Sequence, residues 1–272
     1  MIPPVLCYHR IGGPPVLGVT RVARSVFGRQ MTGLARAGWR TLGLAEFEAR
    51  VIVPASPEPE RALLLTFDDG LASLAEHVFP VLRDLGMMAT VFLVTDYIGR
   101  PNTWDVRYTW RRERHLDWPT IERWAGRGFD FQSHTRTHAR LTWLSDAEAS
   151  SELVRARETL MARLGPQAGV AIAFPFGASD ARIERLGRAA GYRLGFAAVR
   201  SASTGPLALP RVPVYMWDAW DVPFGLRTDG LGALGRWVAN VANRCAVGTS
   251  IMQGVWGRVS GVRRGRHLTP DT

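Results

Sequence analysis

The chain lacks lysine altogether, so all 34 of its basic residues are arginine, and it has only 24 acidic residues. Its two cysteines, Cys7 and Cys245, are too few for a disulfide framework or for a zinc cluster built from cysteine. A run of 18 or more apolar residues without charges is also missing, which argues against a membrane-spanning helix. The first residues do not show the basic and apolar regions of a signal peptide. We therefore predict a cytoplasmic or membrane-peripheral protein, with export open only if translation begins further upstream.

The net charge of +10 at pH 7 favours weak attraction to anionic surfaces. The arginines are scattered along the chain except in two runs, RRERH at 111–115 and RVSGVRRGRH at 258–267. The sequence shows neither a known nucleic-acid-binding motif nor a dense basic and aromatic patch, so we expect no specific nucleic-acid partner. It does not predict an oligomeric state.

Strand-like runs alternate with helix-like runs along most of the chain, a pattern typical of parallel α/β proteins. The run ALLLTF is almost continuously apolar, as in a strand buried on both faces, and ATVFLVT is predicted to be the next buried strand. Predicted strands cover 5–8, 62–67, 89–95, 129–133, 170–174, 194–199 and 211–215, and predicted helices cover 25–37, 71–85, 117–126, 145–164 and 179–190. The length of 272 residues suits one large α/β barrel or two smaller domains.

The motif LLLTFDDG places two carboxylates, Asp68 and Asp69, directly after an apolar strand. The carboxyl-terminal ends of parallel strands form the rim that carries functional sites in α/β folds. Adjacent carboxylates repel each other unless a cation or a shared proton lies between them. The motif therefore indicates an acid–base or metal site, although a turn in which an aspartate caps the next helix would use the same residues.

The motif FQSHTRTHARL places two histidines, His134 and His138, after another predicted strand. Their spacing of four residues puts both on one face of a helical turn. Two neutral imidazoles and one carboxylate form a three-ligand metal site with open coordination positions. The combination of this pair with the two aspartates in one α/β chain favours a metal site more strongly than either motif alone.

A third motif, FPFG, follows the strand VAIAF and forms a rigid turn. TFDDG, SHTRTH and FPFG together resemble the three motifs of the polysaccharide deacetylase family, carbohydrate esterase family 4, which has a NodB-type homology domain. The similarity extends from about Leu63 to Val214. The resemblance implies a distorted (β/α) barrel of about seven strands that uses one divalent metal ion, zinc before other divalent transition metals, to remove acetyl groups from a glycan or amino sugar.

Matched by position, the resemblance implies that Asp69, His134 and His138 bind the metal ion. It also implies that Asp68 is the general base that deprotonates water activated by the metal ion. These roles would make the chain a hydrolase of carbon–nitrogen bonds other than peptide bonds.

The third motif and a nearby tryptophan are predicted to contact the substrate. The resemblance implies that the backbone N–H of Phe176, next to Pro175, helps to hold the tetrahedral oxyanion. Trp104, in the sequence PNTWD, is predicted to line a sugar cleft because aromatic faces stack on pyranose rings, with core packing as the alternative.

The sequence departs from the family pattern in its third motif. Many members carry an arginine before the proline of this motif, and that arginine orients the catalytic aspartate. The corresponding positions in this chain are Ala173 and Phe174. Arg211, in LPRVPVY, is predicted to supply the missing cation.

The sequence also lacks the Leu-x-His motif that provides the general acid near the end of many members. In a closed barrel the last strand lies beside the first, so a permuted chain can carry this histidine at its start. VLCYHRI fits the Tyr-His of such family members, and we predict that His9 is the general acid. Cys7 alternates with His9 and is predicted to point into the barrel without a chemical role, whereas His77 and His115 are predicted to be surface residues.

The predicted domain organisation is a catalytic domain over 1–216, with core motifs over 63–214, followed by an extension over 217–272. We expect this extension to be partly helical, around 231–242, and to end in a basic, poorly ordered segment.

The predicted function is metal-dependent hydrolysis of N-acetyl groups on a glycan, with O-acetyl groups as an alternative target. A catalytically weakened glycan-binding relative remains an alternative because the third-motif arginine is missing. An iron(II) enzyme with two histidines and one aspartate would share the ligand set, and a nucleic-acid binder would explain the charge.

Overall fold

A computed structural model of the chain describes residues 2–13, 19–52, 61–103, 112–198, 205–218, 221–223 and 226. Trp104, the predicted helix over 231–242 and the basic end of the extension lie outside the described residues. Among the helices that are described, none combines the length and the apolar character needed to cross a bilayer.

The strands of the described residues, in chain order, are Val5–Tyr8 (β1), Arg10–Ile11 (β2), Arg21–Val22 (β3), Arg40–Thr41 (β4), Ala62–Phe67 (β5), Thr90–Leu93 (β6), Asp130–Ser133 (β7), Ala171–Ala173 (β8), Leu194–Ala197 (β9), Leu209–Pro210 (β10) and Val212–Pro213 (β11). The α-helices are Arg24–Arg36 (α1), Leu44–Ile52 (α2), Ser73–His77 (α3), Phe79–Asp84 (α4), Trp118–Ala125 (α5), Asp146–Leu164 (α6) and Ala181–Ala189 (α7). Short 3-10 helices cover Thr95–Tyr97, Leu141–Trp143, Pro166–Gly169 and Pro175–Gly177.

The main sheet is a nearly closed ring of parallel strands in the order β10-β9-β8-β7-β6-β5-β1-β11, with β4 also paired to β5. β10 and β11 are separated only by Arg211, so they are two parts of one extended segment. Its first part pairs with β9 and its second part pairs with β1, where Leu6 lies opposite Val212. This segment joins the two ends of the sheet and gives seven strand positions, which confirms the predicted distorted (β/α) barrel.

The alternation of side chains along each strand separates two hydrophobic layers. In β5 all six residues are buried, and Leu63, Leu65 and Phe67 pack outward against the helices. Leu64 belongs instead to a cluster inside the barrel that includes Phe92. Burial of each large apolar side chain contributes about 1.5–3 kcal/mol, so both layers stabilise the barrel.

The single helix predicted over 71–85 is wrong: the structure has two short helices, α3 and α4, in this region. Pro80 is the second residue of α4 and has no N–H to donate to the preceding turn. Val78, between the two helices, has φ −113° and ψ −60°, which departs from regular helix geometry. The apolar periodicity therefore continues across the break, but the backbone does not.

Candidate active site

The alternation of side chains that fills the barrel interior also orients the predicted site residues at the carboxyl-terminal rim. Val5 and Leu64 face inward, so the residues that follow them at even spacing, His9 and Asp68, also face inward. The N–H of Asp68 donates to the carbonyl of Tyr8 at 2.9 Å, which ties the ends of β1 and β5 together. The rim therefore brings residues from opposite ends of the chain into one site.

Arg211 pairs with both carboxylate oxygens of Asp68. Its two terminal nitrogens donate to Oδ1 at 2.6 Å and to Oδ2 at 2.8 Å. Both side chains are almost completely buried. His9 lies on the same carboxylate, with Nε2 3.7 Å from Oδ2, and its side chain is 28% exposed. The structure thus places a cation against Asp68, where sequence analysis predicted the replacement for the third-motif arginine.

The charges around Asp68 determine its ionisation. Burial alone would raise the pKa of Asp68, but the Arg211 guanidinium, with smaller contributions from His134 and His9, holds this pKa well below its usual range. Burial lowers the pKa of Arg211, but the Asp68 carboxylate outweighs this effect and the pKa is raised. The pair therefore remains ionised throughout the ordinary pH range.

Asp69, His134 and His138 form a second cluster beside this pair. Oδ1 of Asp69 lies 3.6 Å from Nε2 of His134 and 3.4 Å from Nε2 of His138. One nitrogen or oxygen atom from each of the three residues lies within 4.8 Å of the others. The structure therefore brings together the three residues that were predicted as metal ligands.

The environment of His134 favours a neutral imidazole with an available lone pair. Nδ1 of His134 lies 2.8 Å from the carbonyl oxygen of Ala173, so it carries the proton and donates. Burial lowers the pKa of His134 despite the nearby Asp68 and Asp69 carboxylates. The lone pair of Nε2 then faces Asp69, as in metal sites where a backbone carbonyl fixes the histidine tautomer.

A third group, Cys7, His9 and Asp68, also has ligand-type atoms close together. Sγ of Cys7 lies 3.7 Å from Oδ2 of Asp68 and 4.0 Å from Nδ1 of His9. Burial raises the pKa of this thiol, so Cys7 keeps its proton. Because Arg211 already neutralises Asp68, this group is less suited to a metal ion than the Asp69 cluster.

The two histidines do not share a face of a helix, contrary to the prediction from their spacing. Thr135 and His138 have positive φ values of 66° and 63°, so the backbone between the histidines is a compact loop. Asp69 and Phe176, with φ values of 68° and 61°, are the other non-glycine residues with positive φ in the described part of the chain. Each such residue costs about 1–3 kcal/mol, and all four lie at this rim, as is common where strain positions functional groups.

Glu152 of α6 fixes the loop between the histidines, a role that no pattern in the sequence indicates. Its Oε2 accepts from the N–H groups of Arg136 and Thr137 at 3.0 and 2.8 Å. Its Oε1 accepts from the hydroxyl of Thr137 at 2.8 Å. Glu152 is buried on the inner face of α6, and only this burial of a charged residue would have indicated a partner.

The third motif lies beside the histidines as expected. Pro175 is buried, and the ring of Phe176 lies 4.9 Å from the ring of His138 at an angle of 61°. The left-handed backbone of Phe176 turns the chain sharply at the end of β8. The motif therefore forms one wall of the rim next to a predicted metal ligand.

Two further histidines were placed wrongly by the sequence analysis. His115 was predicted to lie at the surface but is 3% exposed, with Nδ1 3.0 Å from the carbonyl oxygen of Arg100. The side chain of His77 is also largely buried. Both residues lie outside the motifs, and the local sequence does not show the contacts that bury them.

The parallel barrel and the carboxylate and histidine clusters at its rim define the class of deacetylases with a NodB-type fold. A sequence model described as polysaccharide deacetylase matches residues 55–195, just over half of the 272 residues. The chain belongs to the polysaccharide deacetylase family and is a hydrolase of that family.

Individual relatives agree with this assignment. YxkH of Bacillus subtilis, whose name places it among polysaccharide deacetylases, is 28% identical over 78% of this chain and 71% of YxkH. A poly-β-1,6-N-acetyl-D-glucosamine N-deacetylase of Staphylococcus epidermidis is 27% identical over 60% of this chain and 61% of that protein. The deacetylase PplD of Streptococcus pyogenes, solved in complex with acetate, has a similar fold, with a TM-score of 0.68 and 22% identity over 79% of this chain and 93% of PplD.

Proposed function

We propose that this chain uses one divalent metal ion to hydrolyse N-acetyl groups on a polymer of N-acetylated amino sugars. The observation that carries the proposal is the Asp69, His134 and His138 cluster, which lies directly beside the ion-paired Asp68. Asp69 therefore faces two imidazoles, while the carboxylate of its neighbour Asp68 is neutralised by the protein itself. The catalytic unit in this proposal is residues 1–216, because β1 and β11 are both needed to close the barrel.

The donor set of the cluster fits a divalent metal ion. Two imidazoles and one carboxylate are common ligands of catalytic zinc, and zinc is the ion that we propose. The hydrogen bond from His134 to the carbonyl of Ala173 supports this assignment because it directs Nε2 toward Asp69. A divalent ion held here supplies Lewis acidity that activates water and polarises an acetyl carbonyl.

The other residues at the rim supply acid–base chemistry and positioning. Asp68 accepts a proton from the attacking water at its carboxylate. The Arg211 guanidinium keeps Asp68 ionised and fixes the direction of its oxygens, at the expense of basicity. This pairing argues against the alternative of a catalytically weakened relative, because Arg211, between β10 and β11, replaces the cation missing from the third motif.

His9 delivers a proton to the departing amine. Its Nε2 and the Nε2 of His134 lie 3.7 and 3.9 Å from the same Oδ2 of Asp68. His9 is thus separated from the proposed ligands by the proposed base, and its partial exposure leaves it accessible to a substrate. Phe176 follows Pro175 in a sharp turn, and we assign its backbone N–H the role of holding the developing oxyanion.

The substrate class follows from the family and from one relative. The Staphylococcus epidermidis relative is named for the removal of N-acetyl groups from poly-β-1,6-N-acetyl-D-glucosamine. We extend the chemistry of that name, an N-acetylated amino-sugar polymer, to this chain. An iron(II) oxygenase would need a co-substrate site, whereas the adjacent acid–base groups suit hydrolysis.

The test is acetate release from β-1,6-linked N-acetylglucosamine oligomers by the purified chain. The protein is stripped with a chelator and reloaded with Zn²⁺, Co²⁺ or Mn²⁺, and O-acetylated sugars are assayed in parallel. We expect metal-dependent release that is faster from the N-acetylated oligomers, and little release from the same-sized variant Asp68→Asn. Absence of release with every metal, or equal activity of Asp68→Asn, would refute the proposal.

A further inference from the structure

Trp143 is a large aromatic residue that the proposed chemistry does not use. Its residue surface is 58% exposed, although it follows directly from the loop that carries His134 and His138. Leu141, two residues earlier in the same 3-10 helix, is completely buried and anchors this segment to the barrel. An indole ring is therefore held at the rim while much of its surface faces solvent.

A continuous series of ring and cation contacts connects Trp143 to the proposed metal ligands. The Cζ atom of Arg140 lies 5.0 Å from the centre of the Trp143 ring and 5.8 Å from the centre of the Phe176 ring. The Phe176 ring in turn lies 4.9 Å from the ring of His138. The exposed indole thus belongs to the same wall of the rim as the third motif.

The position of Trp143 distinguishes it from Trp124, which also contacts an arginine. Trp124 is also covered by a guanidinium, with Arg127 Cζ 4.9 Å from its ring, but Trp124 is only 4% exposed and packs in the core. An arginine contact alone is therefore a structural feature in this protein. Trp143 combines the contact with exposure and with continuity to the site.

We infer that Trp143 is a stacking platform for a pyranose ring of the polymer next to the sugar that is deacetylated. This inference rests on the proposed deacetylase function. The apolar face of a pyranose packs well on an indole, whose flat ring offers a large apolar surface. Arg140 limits the motion of the indole before substrate binds, which reduces the entropy lost on stacking.

The platform predicts that the enzyme prefers oligomers over single sugars. The test compares kcat/KM for acetate release from β-1,6-linked N-acetylglucosamine oligomers of one to six units. Trp143→Ala should lose about three- to tenfold of the gain with length, the size of one ring contact. Trp143→Phe should recover most of this gain. Ile52→Ala, which removes another exposed apolar side chain at the end of α2, should match the parent.

A binding measurement separates this inference from the proposed function. Calorimetric titration of the hexamer into Asp68→Asn, with and without Trp143→Ala, measures affinity without turnover. A Kd that is three- to tenfold weaker in the double variant supports the platform even if no acetate is released by the parent. Equal affinities, or an unchanged length dependence in an active Trp143→Ala enzyme, would overturn the platform.

Discussion

The two adjacent aspartates lie in very different surroundings. Asp68 is buried and paired with Arg211, and its neighbours Cys7 and His9 come from the start of the chain. Asp69 is more exposed, at 13% of its side chain, and faces two histidines from the middle of the chain. The Asp68 region therefore carries its own counter-cation within the polypeptide. In the proposed function, the Asp69 region instead receives a metal ion from outside.

The largest expected effects come from removing the carboxylate charge of Asp69 or of Asp68. Asp69→Asn should reduce both bound metal and deacetylation to background, because it removes the only carboxylate of the proposed ligand cluster. Asp68→Asn should slow deacetylation by about 10²–10⁴-fold, the usual contribution of a general base, while the metal stays bound. Elemental analysis and acetate release on the same samples measure both effects.

The two asparagine variants are matched controls for each other, since they differ by one position and remove the same charge. The proposed difference between the two aspartates is wrong if both variants lose metal equally, because Asp68 would then also be a ligand. It also fails if Asp69→Asn retains metal, which would place the ion elsewhere.

The next largest effect is expected for His9, which lies beside Asp68 and is the proposed general acid. His9→Ala should reduce deacetylation of an N-acetyl sugar by about 10²–10⁴-fold, because the amine leaves poorly without a proton. The loss should be smaller for an aryl acetate, whose leaving group needs little protonation. Steady-state rates on both substrates, with metal content as the control, test this expectation. Equal losses on both substrates would indicate that His9 only positions or packs.

The sequence predicts well the features that depend on neighbours in the chain. The capping box is one example: Ser145 accepts from the N–H of Glu148, and the Glu148 side chain accepts from the N–H of Ser145. The buried strands are another, because a nearly continuous apolar run such as ALLLTF is typical of a strand buried on both faces of a parallel sheet. Local composition determines these elements, and the structure confirms them.

Other features depend on residues that are distant in the sequence, and these were missed or known only through the family resemblance. Spacing alone suggested a helical turn for His134 and His138, but the contacts of Glu152 from α6 stabilise a loop instead. Arg211 lies 143 positions from Asp68, and no local pattern reveals that they meet. The resemblance suggested this arginine because it specified which charge was missing.

Removing the internal cation should destabilise the Asp68 region strongly. Arg211→Met keeps a long side chain but leaves the buried Asp68 carboxylate without its paired guanidinium, and removing one member of a buried ion pair typically costs about 3–5 kcal/mol. Urea unfolding in the presence of a chelator measures this loss without a contribution from bound metal. Arg163→Met, which removes an exposed arginine that pairs with Glu122 at 3.5 Å, is the control and should cost less than about 1 kcal/mol.

The free energy of unfolding that Arg211→Met loses should depend on pH, because the Asp68 carboxylate is buried. In the parent the pKa of Asp68 lies below its usual range, so this stabilisation is fully present from pH 5 to 7 and is lost only in stronger acid. Without Arg211, burial raises the pKa of Asp68 above its unfolded value, and protonation on acidification relieves the buried charge. The stability gap between parent and variant should therefore narrow from pH 7 to pH 5. A constant or widening gap would show that the carboxylate finds another cation.

The smallest effect is expected for Glu152, which holds the loop between His134 and His138 in the Asp69 region. Glu152→Gln keeps the size of the side chain but removes its charge and replaces one acceptor oxygen with a donor, which leaves an N–H or hydroxyl of the histidine loop unsatisfied. The expected cost is about 1–3 kcal/mol in the free energy of unfolding. Because this loop positions His138, metal affinity should also fall by about tenfold. Glu148→Gln, one turn earlier on α6 at the exposed capping box, is the matched control and should lower stability without changing metal affinity. Metal titration of both variants decides the matter, since equal affinities would mean that Glu152 supports the fold but not the geometry of the proposed ligands.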